Sequence, residues 1–454
     1  MIESAKRRGL FVTAILPRPE KFVTEGDNKL YYPNEEAVLH VGVHQVYAPP
    51  IGQKFDVIEC AGHLQTIEIQ QNIRFLGVIP FRESAVDYTD TLSALLGINI
   101  HNDLGLATAR RDKGLMKNAV ANAGLRTSKF ARLTAANGSD VRPAIEELEL
   151  EFPVVVKTPR GSSTAGVYIC DTIEDATEKS ILILKTVGIH DGRKTHYSLL
   201  EEFLHGDEFA INVIASPTCP RGMFVTDVWK YAKIHENGTM INTMQGMCDP
   251  HSPKYSNLVR YAEGITRAVG IKYGLAHVEV KAIYNEEKKK YIDPVMIEVG
   301  ARLAGGRKAI MAQASIRDWR PFDAMLDAHC GFPLQVPRTF TPSWHAKHVY
   351  IPCNKAGILK SVSGMDFERL QTYHSHVALC EVGKPIEKST SIMSFPAFVW
   401  LCGIREDVER DAILARSEFQ VEVHEEADEK EEEKVDLYQE EKKETEAVNA
   451  VSES

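Results

Sequence analysis

Two short segments separated by a charged turn constrain the fold of this chain more than any other feature. Residues 276–282 alternate apolar and polar side chains, a pattern that predicts a β-strand with Glu279 on its polar face. Residues 295–297 form an apolar run that predicts a buried strand, and this run ends at Glu298. The charged residues between them, 285–290, are typical of a turn. We therefore predict a β-hairpin with one carboxylate on each strand.

The two carboxylates face each other if the hairpin closes symmetrically at Lys288–Lys289. Directly paired residues have Cβ atoms about 4.5–5.5 Å apart, and like charges at that distance repel unless a cation lies between them. Two carboxylates without histidine or cysteine partners suit a hard cation such as Mg²⁺, bound together with substrate phosphates. The hairpin therefore predicts a magnesium–nucleotide site at Glu279 and Glu298.

The segment after the second acid contains an arginine and two glycines. Arg302 lies four residues after Glu298, and Gly305 and Gly306 follow it. A carboxylate at the edge of a core is costly unless something positive meets it. From this segment alone, two interpretations stay open. One is a local Glu298–Arg302 ion pair that closes a loop, and the other is a functional site with a lysine or a metal ion.

The composition is typical of a soluble globular protein. The chain has 454 residues, of which 44% are hydrophobic and 26% charged, and this length has room for about two to four domains. No run of about 18 apolar residues occurs, and no long apolar segment precedes the first charges, so we predict neither a membrane span nor a secretory signal. The eight cysteines form no C-x-x-C pair, which predicts reduced thiols in a cytoplasmic protein.

The negative charge is concentrated at the end of the chain. Residues 425–454 contain 13 acidic and 4 basic side chains, so they carry −9 of the net charge of −10 and leave −1 for residues 1–424. This nearly neutral body predicts no nucleic-acid binding. Residues 425–454 contain too few apolar side chains to offset their ordering entropy, so we predict a disordered tail that solubilises the protein or binds a protein partner.

The beginning of the chain alternates strand-like and helix-like segments. Three apolar runs predict strands: residues 10–16, 55–58 and 75–80. The alternation predicts an open α/β domain over residues 1–108. Ligands of such sheets bind beyond the carboxyl ends of the strands, where Glu83 and Ser84 lie. Substrate binding and a simple helix start are both consistent with these two residues, and the helix start is slightly favoured.

Two lysines lie close in sequence to a loop of small residues. A predicted helix over residues 111–124 has Lys113 in its first turn, where a cation is electrostatically unfavourable and is usually a solvated surface residue. A predicted strand ends at Lys157, and the glycine- and serine-rich loop 161–166 follows it. Backbone N–H groups and hydroxyls of such a loop can bind phosphates, although the loop is also compatible with a plain hairpin. It is not a Walker loop, because that pattern is absent.

In combination, these segments resemble the ATP-grasp ligase superfamily over about residues 75–420. Lys113, Lys157 and the loop resemble the first half of that fold, and residues 201–208 resemble its adenine hinge and ribose-binding acid. Three further stretches are similar to the amino-acid (dipeptide) ligase branch of the superfamily: residues 78–86, 225–233 and 298–306.

The resemblance implies an α/β and α+β multidomain protein with the ATP-grasp fold. Its parts would be an N-terminal open α/β (pre-ATP-grasp) domain at 1–108, an ATP-grasp domain at 109–330 with a small lid subdomain at about 150–205, a C-terminal α+β subdomain at 331–424 and the acidic disordered tail at 425–454.

The resemblance also implies a role for each matching residue. ATP would be bound by two phosphate-binding lysines, the loop, the adenine hinge and the ribose-binding acid: Lys113, Lys157, Ser162, Ser163, Thr164, Glu201, Glu202, Leu204 and Glu208. Glu279 and Glu298 would bind Mg²⁺, or Mn²⁺ in its place. Arg302 would be the catalytic residue, on the acyl phosphate or the substrate carboxylate, and Glu83 and Ser84 would contact the substrate.

One residue departs from the superfamily pattern. Many members have Asn two residues after the second metal acid, and this chain has Gly300 there. The change removes one oxygen ligand, so the number of metal ions, one or two, is left open.

The implied reaction is ATP-dependent formation of an amide between a carboxylate and an amine, through an acyl phosphate, with amino acids or small peptides as substrates. The alternatives are an ATP-grasp carboxylase or formyl-phosphate-type enzyme, and a non-catalytic ATP-binding regulatory protein. No biotin-attachment sequence Ala-Met-Lys-Met occurs, which argues against a self-contained biotin carboxylase. Neither the individual substrates nor the choice between monomer and homodimer follows from the sequence.

Overall fold

The computed structural model describes residues 1–17, 35–50, 53–161, 166–186, 194–236 and 239–424. The chain divides into two units: unit 1 comprises Met1–Tyr231 and Gly246–Trp344, and unit 2 comprises Ala232–Gln245 and the residues from His345 onward. The loop residues Ser162, Ser163 and Thr164 and the acidic tail at 425–454 lie outside the described residues. The domain boundaries inferred from the sequence stay predictions.

The N-terminal part of unit 1 is mostly helical. Its described elements are α1 (Ile2–Arg7), β1 (Thr13–Ile15), α2 (Glu35–His40), β2 (Gln45–Tyr47), α3 (Val57–Gln71) and α4 (Val86–Leu95). Strands β1 and β2 pair in parallel. Buried side chains of α3 and α4, including Leu64, Ile67 and Leu92, form their common core.

Two of the strands predicted here, at 55–58 and 75–80, are wrong. The Asp56 carboxylate accepts hydrogen bonds from two backbone N–H groups of the first turn of α3, so the apolar residues that follow it begin a helix. Phe75 donates its N–H to the Glu68 side chain at 2.8 Å, and residues 75–80, all of them described, form no strand. Phe55, Val57, Phe75 and Val78 belong to the core of this part, whereas Ile58 and Leu76 are exposed. Periodicity does not separate such short apolar runs from strands.

A small antiparallel sheet follows in unit 1. Its elements are α5 (Lys113–Asn122), β3 (Phe130–Leu133), α6 (Val141–Glu147), β4 (Val154–Lys157), β5 (Val167–Cys170), α7 (Ile173–Lys185) and β6 (Ser198–Glu202), with the strand order β3-β6-β4-β5. The Thr172 hydroxyl caps α7 by accepting from Asp175 N–H. The buried positions of α7 recur at helical spacing, so one face packs on the sheet: Ala176, Ser180 and Ile183.

The larger strands of unit 1 carry the predicted acids. The elements are β7 (Asp207–Ala215), β8 (Met223–Glu236), β9 (Thr239–Cys248), α8 (Ser256–Ala268), β10 (Gly274–Asn285), β11 (Lys290–Gly300), α9 (Lys308–Ser315) and α10 (Pro321–Cys330). The end of β8, from Ala232, and the part of β9 up to Gln245 belong to unit 2. Strand β10 pairs with β7 on one side and β11 on the other, and β7 pairs with β8, always antiparallel. The apolar face of α8 joins the core of these strands through Leu258, Ala262 and Ile265.

The β10–β11 hairpin pairs Glu279 with Glu298, as predicted, but by a different route. The strands close at Asn285 and Lys290 rather than symmetrically at Lys288–Lys289. Two register shifts follow, and each adds one residue to β11 relative to β10. These bulges offset the error in the assumed turn, so the pairing of the two acids is confirmed although the assumed closure is wrong.

The described part of unit 2 contains the remaining strands and the α-helix α11. Its later elements are β12 (His345–Ile351), β13 (Gly357–Ser363), β14 (Tyr373–Ala378), β15 (Pro385–Ile386), β16 (Ala397–Gly403), α11 (Arg405–Ser417) and β17 (Gln420–His424). Strand β16 pairs with β12 and β14, and β13 pairs with β15 and β17.

The described helices are short. The longest, α3, has 15 residues, and none of them combines the length and the apolar character needed to cross a membrane.

Candidate active site

The first turn of α5 directs Lys113 toward the hairpin. The Asp112 carboxylate caps α5 by accepting from two N–H groups of its first turn at 3.1 and 3.0 Å. Lys113 is buried, its Nζ lies 2.8 Å from Glu298 Oε2, and it donates to the Gly161 carbonyl at 2.9 Å. Lys113 is therefore not a solvated surface residue. It links the start of a helix to one acid of the hairpin and to the start of the predicted phosphate loop.

A second group of charges surrounds Glu201 on β6. Its carboxylate lies 2.9 Å from Lys157 Nζ and 3.1 Å from Lys117 Nζ, and all three side chains are buried. Burial raises the pKa of Glu201, but the two ammonium groups outweigh this effect and hold the pKa below its ordinary value. Burial lowers the pKa of Lys117 to about 8. Two ammonium groups and one carboxylate leave an excess of positive charge, which favours an anionic ligand.

The predicted adenine hinge lies at the end of β6. Glu202 Oε1 accepts from Lys129 N–H at 2.9 Å, so this side chain fixes the hinge to the residue before β3. The Leu204 carbonyl accepts from Lys281 Nζ at 2.7 Å. Glu208, the predicted ribose-binding acid, lies opposite Lys281 in the ladder of β7 and β10. Lys281 thus connects the hinge to the strand that carries Glu208.

The facing carboxylates of Glu279 and Glu298 lie between these groups. Glu279 Oε1 accepts from the Tyr231 hydroxyl at 3.0 Å and lies 3.4 Å from His277 Nε2. Within the part of the chain that the structure describes, no group of three or more His, Cys, Asp or Glu side chains is arranged to bind a metal ion. The assignment of Glu279 and Glu298 as metal ligands stays a prediction. The ammonium of Lys113 already places a cation against one of them.

Glu83 lies between two arginines from distant parts of the chain. Its carboxylate pairs with Arg111 Nη1 at 2.9 Å and with Arg302 Nε. Arg302 thus pairs with Glu83 and not with Glu298, so the local ion pair considered from the sequence does not form. Burial raises the pKa of Glu83, but the two guanidinium groups outweigh it and hold the pKa below its ordinary value of 4.5. Glu83 also begins a short 3₁₀ helix before α4, as the helix-start interpretation required, and Ser84 beside it is buried.

The position of Glu83 accounts for the unusual glycine of the hairpin. A Cβ atom on Gly300 would lie 3.2 Å from Glu83 Oε2, which is tighter than ordinary van der Waals contact. An asparagine at this position would crowd the Glu83 carboxylate. The glycine therefore gives Glu83 and its arginines space that an amide ligand would occupy.

Several residues of this site were not predicted from the sequence: Arg111, Lys117, Tyr231, His277 and Lys308. Two of them had a local signal, because Lys117 follows Lys113 by one helical turn and His277 shares a strand face with Glu279. Arg111 and Lys308 had none, because their neighbours in space are far away in the sequence. Lys308 is buried, and its Nζ lies 5.2 Å from the centre of the Tyr231 ring.

A buried polar network continues from Glu279 into the sheet. His277 Nδ1 lies 2.8 Å from Asn212 Oδ1, Asn212 Nδ2 donates to Asp227, and Trp229 Nε1 donates to the same carboxylate at 2.6 Å. Burial raises the pKa of Asp227 above its ordinary value. A cavity of about 10 Å³, large enough for about one water molecule, adjoins Asp227. Mostly apolar residues form its other walls: Leu275, Leu303, Ala304, Ala309, Trp319 and Pro321.

The arrangement of these elements defines the class of fold. A small antiparallel sheet contributes Lys157 and Glu201, a capped helix contributes Lys113, and a larger antiparallel ladder contributes two facing acids. This is the ATP-grasp fold, and the fold prediction made from the sequence is confirmed.

Known proteins with similar sequences or structures agree with this class. No protein-family model matches the chain. It is 28% identical over 246 residues to dapdiamide A synthase from Enterobacter agglomerans, covering 54% of this chain and 55% of that protein. This chain therefore spans about half the length of that relative.

Two solved structures illustrate the similarity of fold. An L-amino acid ligase from Bacillus licheniformis matches with a TM-score of 0.69 and 19% identity over 93% of this chain and 95% of that one. The biotin carboxylase domain of the Hydrogenobacter thermophilus 2-oxoglutarate carboxylase, solved with MgADP and bicarbonate, matches with a TM-score of 0.59 and 14% identity over 93% and 87%.

Proposed function

We propose that this protein is an ATP-dependent ligase that joins a carboxylate to an amine through an acyl phosphate, with release of ADP and phosphate. The observation that carries the proposal is the direct pairing of Glu279 with Glu298, together with the Lys113 ammonium 2.8 Å from Glu298. Such a group is complementary to a metal–nucleotide complex, because the two carboxylates attract the metal ion and the ammonium attracts the phosphates. The similarity to dapdiamide A synthase and to an L-amino acid ligase supports amino acids or small amino-acid-like molecules as substrates.

The nucleotide would lie between the small sheet and the hairpin of unit 1. Lys113 and Lys157 would bind its phosphates as compact cations, and Glu208 would accept hydrogen bonds from the ribose hydroxyls. The backbone at Glu202 and Leu204 would pair with adenine, and Ser162, Ser163 and Thr164 would close over the phosphates. Mg²⁺ or Mn²⁺ on Glu279 and Glu298 would supply the positive charge that bridges the phosphate oxygens.

The Glu83–Arg302 ion pair supports the proposal that one substrate is an amino acid. An amino acid carries one ammonium and one carboxylate group, and the pair offers one group of each complementary charge. A bound amino acid can therefore replace the ion pair, with its ammonium on Glu83 and its carboxylate on Arg302. Arg111 would keep Glu83 ionised and in place during this exchange, because it holds the carboxylate from the other side.

The chain's own residues would act mainly by position and charge. In the first step a carboxylate oxygen bonds to the γ-phosphorus while the bond to ADP breaks, and Lys113 and Lys157 balance the charge that collects on ADP. In the second step the amine nitrogen bonds to the acyl carbon while phosphate leaves, and the amine loses one proton. Arg302 would stabilise the negative charge on the acyl phosphate in both steps.

The test is phosphate release by the purified protein with ATP and Mg²⁺ over a panel of single and paired amino acids. We expect release that depends on a pair of substrates, with an amide product by mass spectrometry. Glu298→Gln should lower the rate by about 100-fold or more, because it removes one of the two facing charges. Glu287→Gln is the matched control, since it makes the same change in the exposed turn of the same hairpin and should leave the rate unchanged.

The same experiment separates the alternatives. Release that needs bicarbonate or formate instead of a second amino acid would favour the carboxylase or formyl-phosphate reading. ATP binding without release over a panel that includes other carboxylates would favour a regulatory protein. A chain that does not bind ATP at all would contradict the proposal together with the shared metal site.

A further inference from the structure

Lys308 is a buried cation that forms no ion pair with any other residue that the structure describes. Its side chain is 4% exposed. Among the residues that the structure describes, no carboxylate oxygen lies within 4.0 Å of its Nζ. Its Nζ lies over the face of the Tyr231 ring, 5.2 Å from the ring centre. A buried ammonium normally requires pairing, because loss of its hydration is costly. Since no described carboxylate pairs with it directly, the Lys308 ammonium is able to bind an anionic ligand.

The anion would lie on the Glu279 side of the site. The Tyr231 hydroxyl donates to Glu279 Oε1 at 3.0 Å, so the ring beneath Lys308 also contacts one of the facing acids. Burial lowers the pKa of Lys308 to about 8, whereas Glu279, Asp227 and Glu208 act in the opposite direction and Arg302 adds to the lowering. At neutral pH Lys308 is thus mainly charged, and it is attracted by these acids without being paired to any of them.

The helix that carries Lys308 has no side-chain cap of its own. Arg307 precedes α9 in the left-handed conformation, with φ of 58°, after Gly305 and Gly306. No side chain caps the first turn of α9, so its backbone N–H groups and the helix dipole add positive charge beside Lys308. A lysine at the first position of a helix is unfavourable unless an anion compensates it. The backbone and the side chain therefore favour the same kind of ligand.

The charges already assigned decide which anion this is. Lys113 is bound to Glu298 and to the start of the phosphate loop, and Lys157 is bound to Glu201 on the small sheet. Lys308 lies over the ring of Tyr231, whose hydroxyl donates to Glu279, and both Glu279 and Arg302 act on its charge. The group that would meet Glu279, Arg302 and Lys308 together is the terminal phosphate, which moves from the nucleotide to the substrate carboxylate.

We infer that Lys308 is a catalytic residue that binds the γ-phosphoryl group of ATP while this group is transferred to the substrate carboxylate. The inference rests on the proposed ligase function. During transfer, the bond from phosphorus to the ADP oxygen breaks, the bond to the carboxylate oxygen forms, and no proton moves. Negative charge spreads over the three equatorial oxygens of the phosphoryl group, and Lys308 donates hydrogen bonds to them as a compact cation.

The test measures nucleotide affinity without turnover. Isothermal titration calorimetry compares ADP with the non-hydrolysable analogue AMP-PNP, each with Mg²⁺. We expect Lys308→Met to bind AMP-PNP about 10-fold or more weakly and ADP as the wild type does, because the analogue alone carries the third phosphate. Lys230→Met is the matched control, because it makes the same change at the residue before Tyr231 on β8. Lys230 pairs with Asp207, and its replacement should leave both affinities unchanged.

Stability gives a second, independent measurement. Without nucleotide, Lys308→Met should be at least as resistant to urea as the wild type, because it replaces an unpaired buried charge by an apolar side chain of similar length. Lys308→Gln repeats the affinity comparison with a polar, uncharged side chain. A purely structural role would instead lower the urea midpoint and weaken both nucleotides alike.

Three results would overturn the inference. One is wild-type affinity of Lys308→Met for both nucleotides, and another is an equal loss for both. The third is unchanged nucleotide binding with a raised KM for a carboxylate substrate, which would assign Lys308 to that substrate. A selective loss of AMP-PNP binding in a protein that never releases phosphate would uphold the γ-phosphate contact and reject the ligase function.

Discussion

Glu83 shows how much of this site depends on single charges. Its carboxylate is shared by Arg111 and Arg302, and Gly300 leaves the space that it occupies. Both arginines are largely buried, so each needs a negative partner near the candidate site. From the sequence, Glu83 and Arg302 were two separate substrate-contacting candidates. In the structure they form one ion pair.

Replacing Glu83 should therefore destabilise the free protein. We expect Glu83→Gln to lower the free energy of unfolding at pH 7 by about 3 kcal/mol, because two arginines lose their carboxylate in a mostly buried site. Urea denaturation measures this loss. Asp293→Asn is the control, since it breaks an exposed pair with Arg126 and should cost less than about 1 kcal/mol. Equal losses in the two variants would show that Glu83 acts as an ordinary surface acid.

The effect of Glu83 should also depend on pH. The folded protein holds the pKa of Glu83 below its ordinary value of 4.5, so the carboxylate contributes to stability above pH 4.5 and this contribution is lost as the pH falls toward the folded pKa. The difference in unfolding free energy between wild type and Glu83→Gln should be constant above pH 5 or so and shrink below 4.5. A difference that grows on acidification would contradict the assignment.

At the scale of elements, the start of α5 joins a helix cap to the candidate site. Asp112 caps the helix and also accepts from the Tyr197 hydroxyl, and the residue that follows it is Lys113. The cap thus fixes the direction in which Lys113 leaves the helix. The hairpin has a comparable dependence on local geometry, because its two bulges bring Glu279 opposite Glu298.

Two cap variants should separate stability from nucleotide binding. Asp112→Ala and Thr172→Ala each remove a helix cap and should each cost about 1 kcal/mol of unfolding free energy. Only Asp112→Ala should also weaken ADP binding, by several-fold, because it releases Lys113 from its position. Urea denaturation and titration calorimetry measure the two effects. Unchanged ADP affinity in Asp112→Ala would show that Lys113 does not depend on the cap, and Asp112→Asn should preserve both properties.

At the scale of the whole molecule, charge is separated along the chain. Residues 425–454 carry −9 and residues 1–424 carry −1, so nearly all of the net charge lies outside the part that contains the candidate site. This distribution suits a segment that acts on solubility or on a partner rather than on the reaction. The role of the tail stays a prediction, because these residues lie outside the described part of the chain.

Removing the tail should therefore leave turnover intact. We expect a chain truncated after His424 to release phosphate with the same kcat as the full chain, within about two-fold, and to lose solubility as its net charge approaches zero. Steady-state kinetics and solubility measurements at matched protein concentrations test this. Loss of turnover in a truncated chain with an unchanged urea midpoint would show that the tail takes part in the reaction.

Sequence and structure each determined a different part of this protein. The two acids could be assigned to one hairpin because strand alternation and a charged turn are local patterns, whereas their direct pairing also depends on two bulges that the sequence did not indicate. The lysine after Asp112 and the lysine at the end of β4 were identified from equally local patterns. The apolar runs at 55–58 and 75–80 were assigned to the wrong element, because periodicity alone does not distinguish a short strand from the start of a helix or a packed extended segment.

Only the tertiary structure decided which charges meet. Arg302 pairs with Glu83, which is 219 positions away in the sequence. Lys117 and Lys157 both pair with Glu201, and Lys308 lies over the ring of Tyr231. Such partners leave no periodic trace in the sequence, since packing of separate elements brings them together. The sequence by itself determined the hairpin and its two acids, and the packing of unit 1 decided which of the described charges pair.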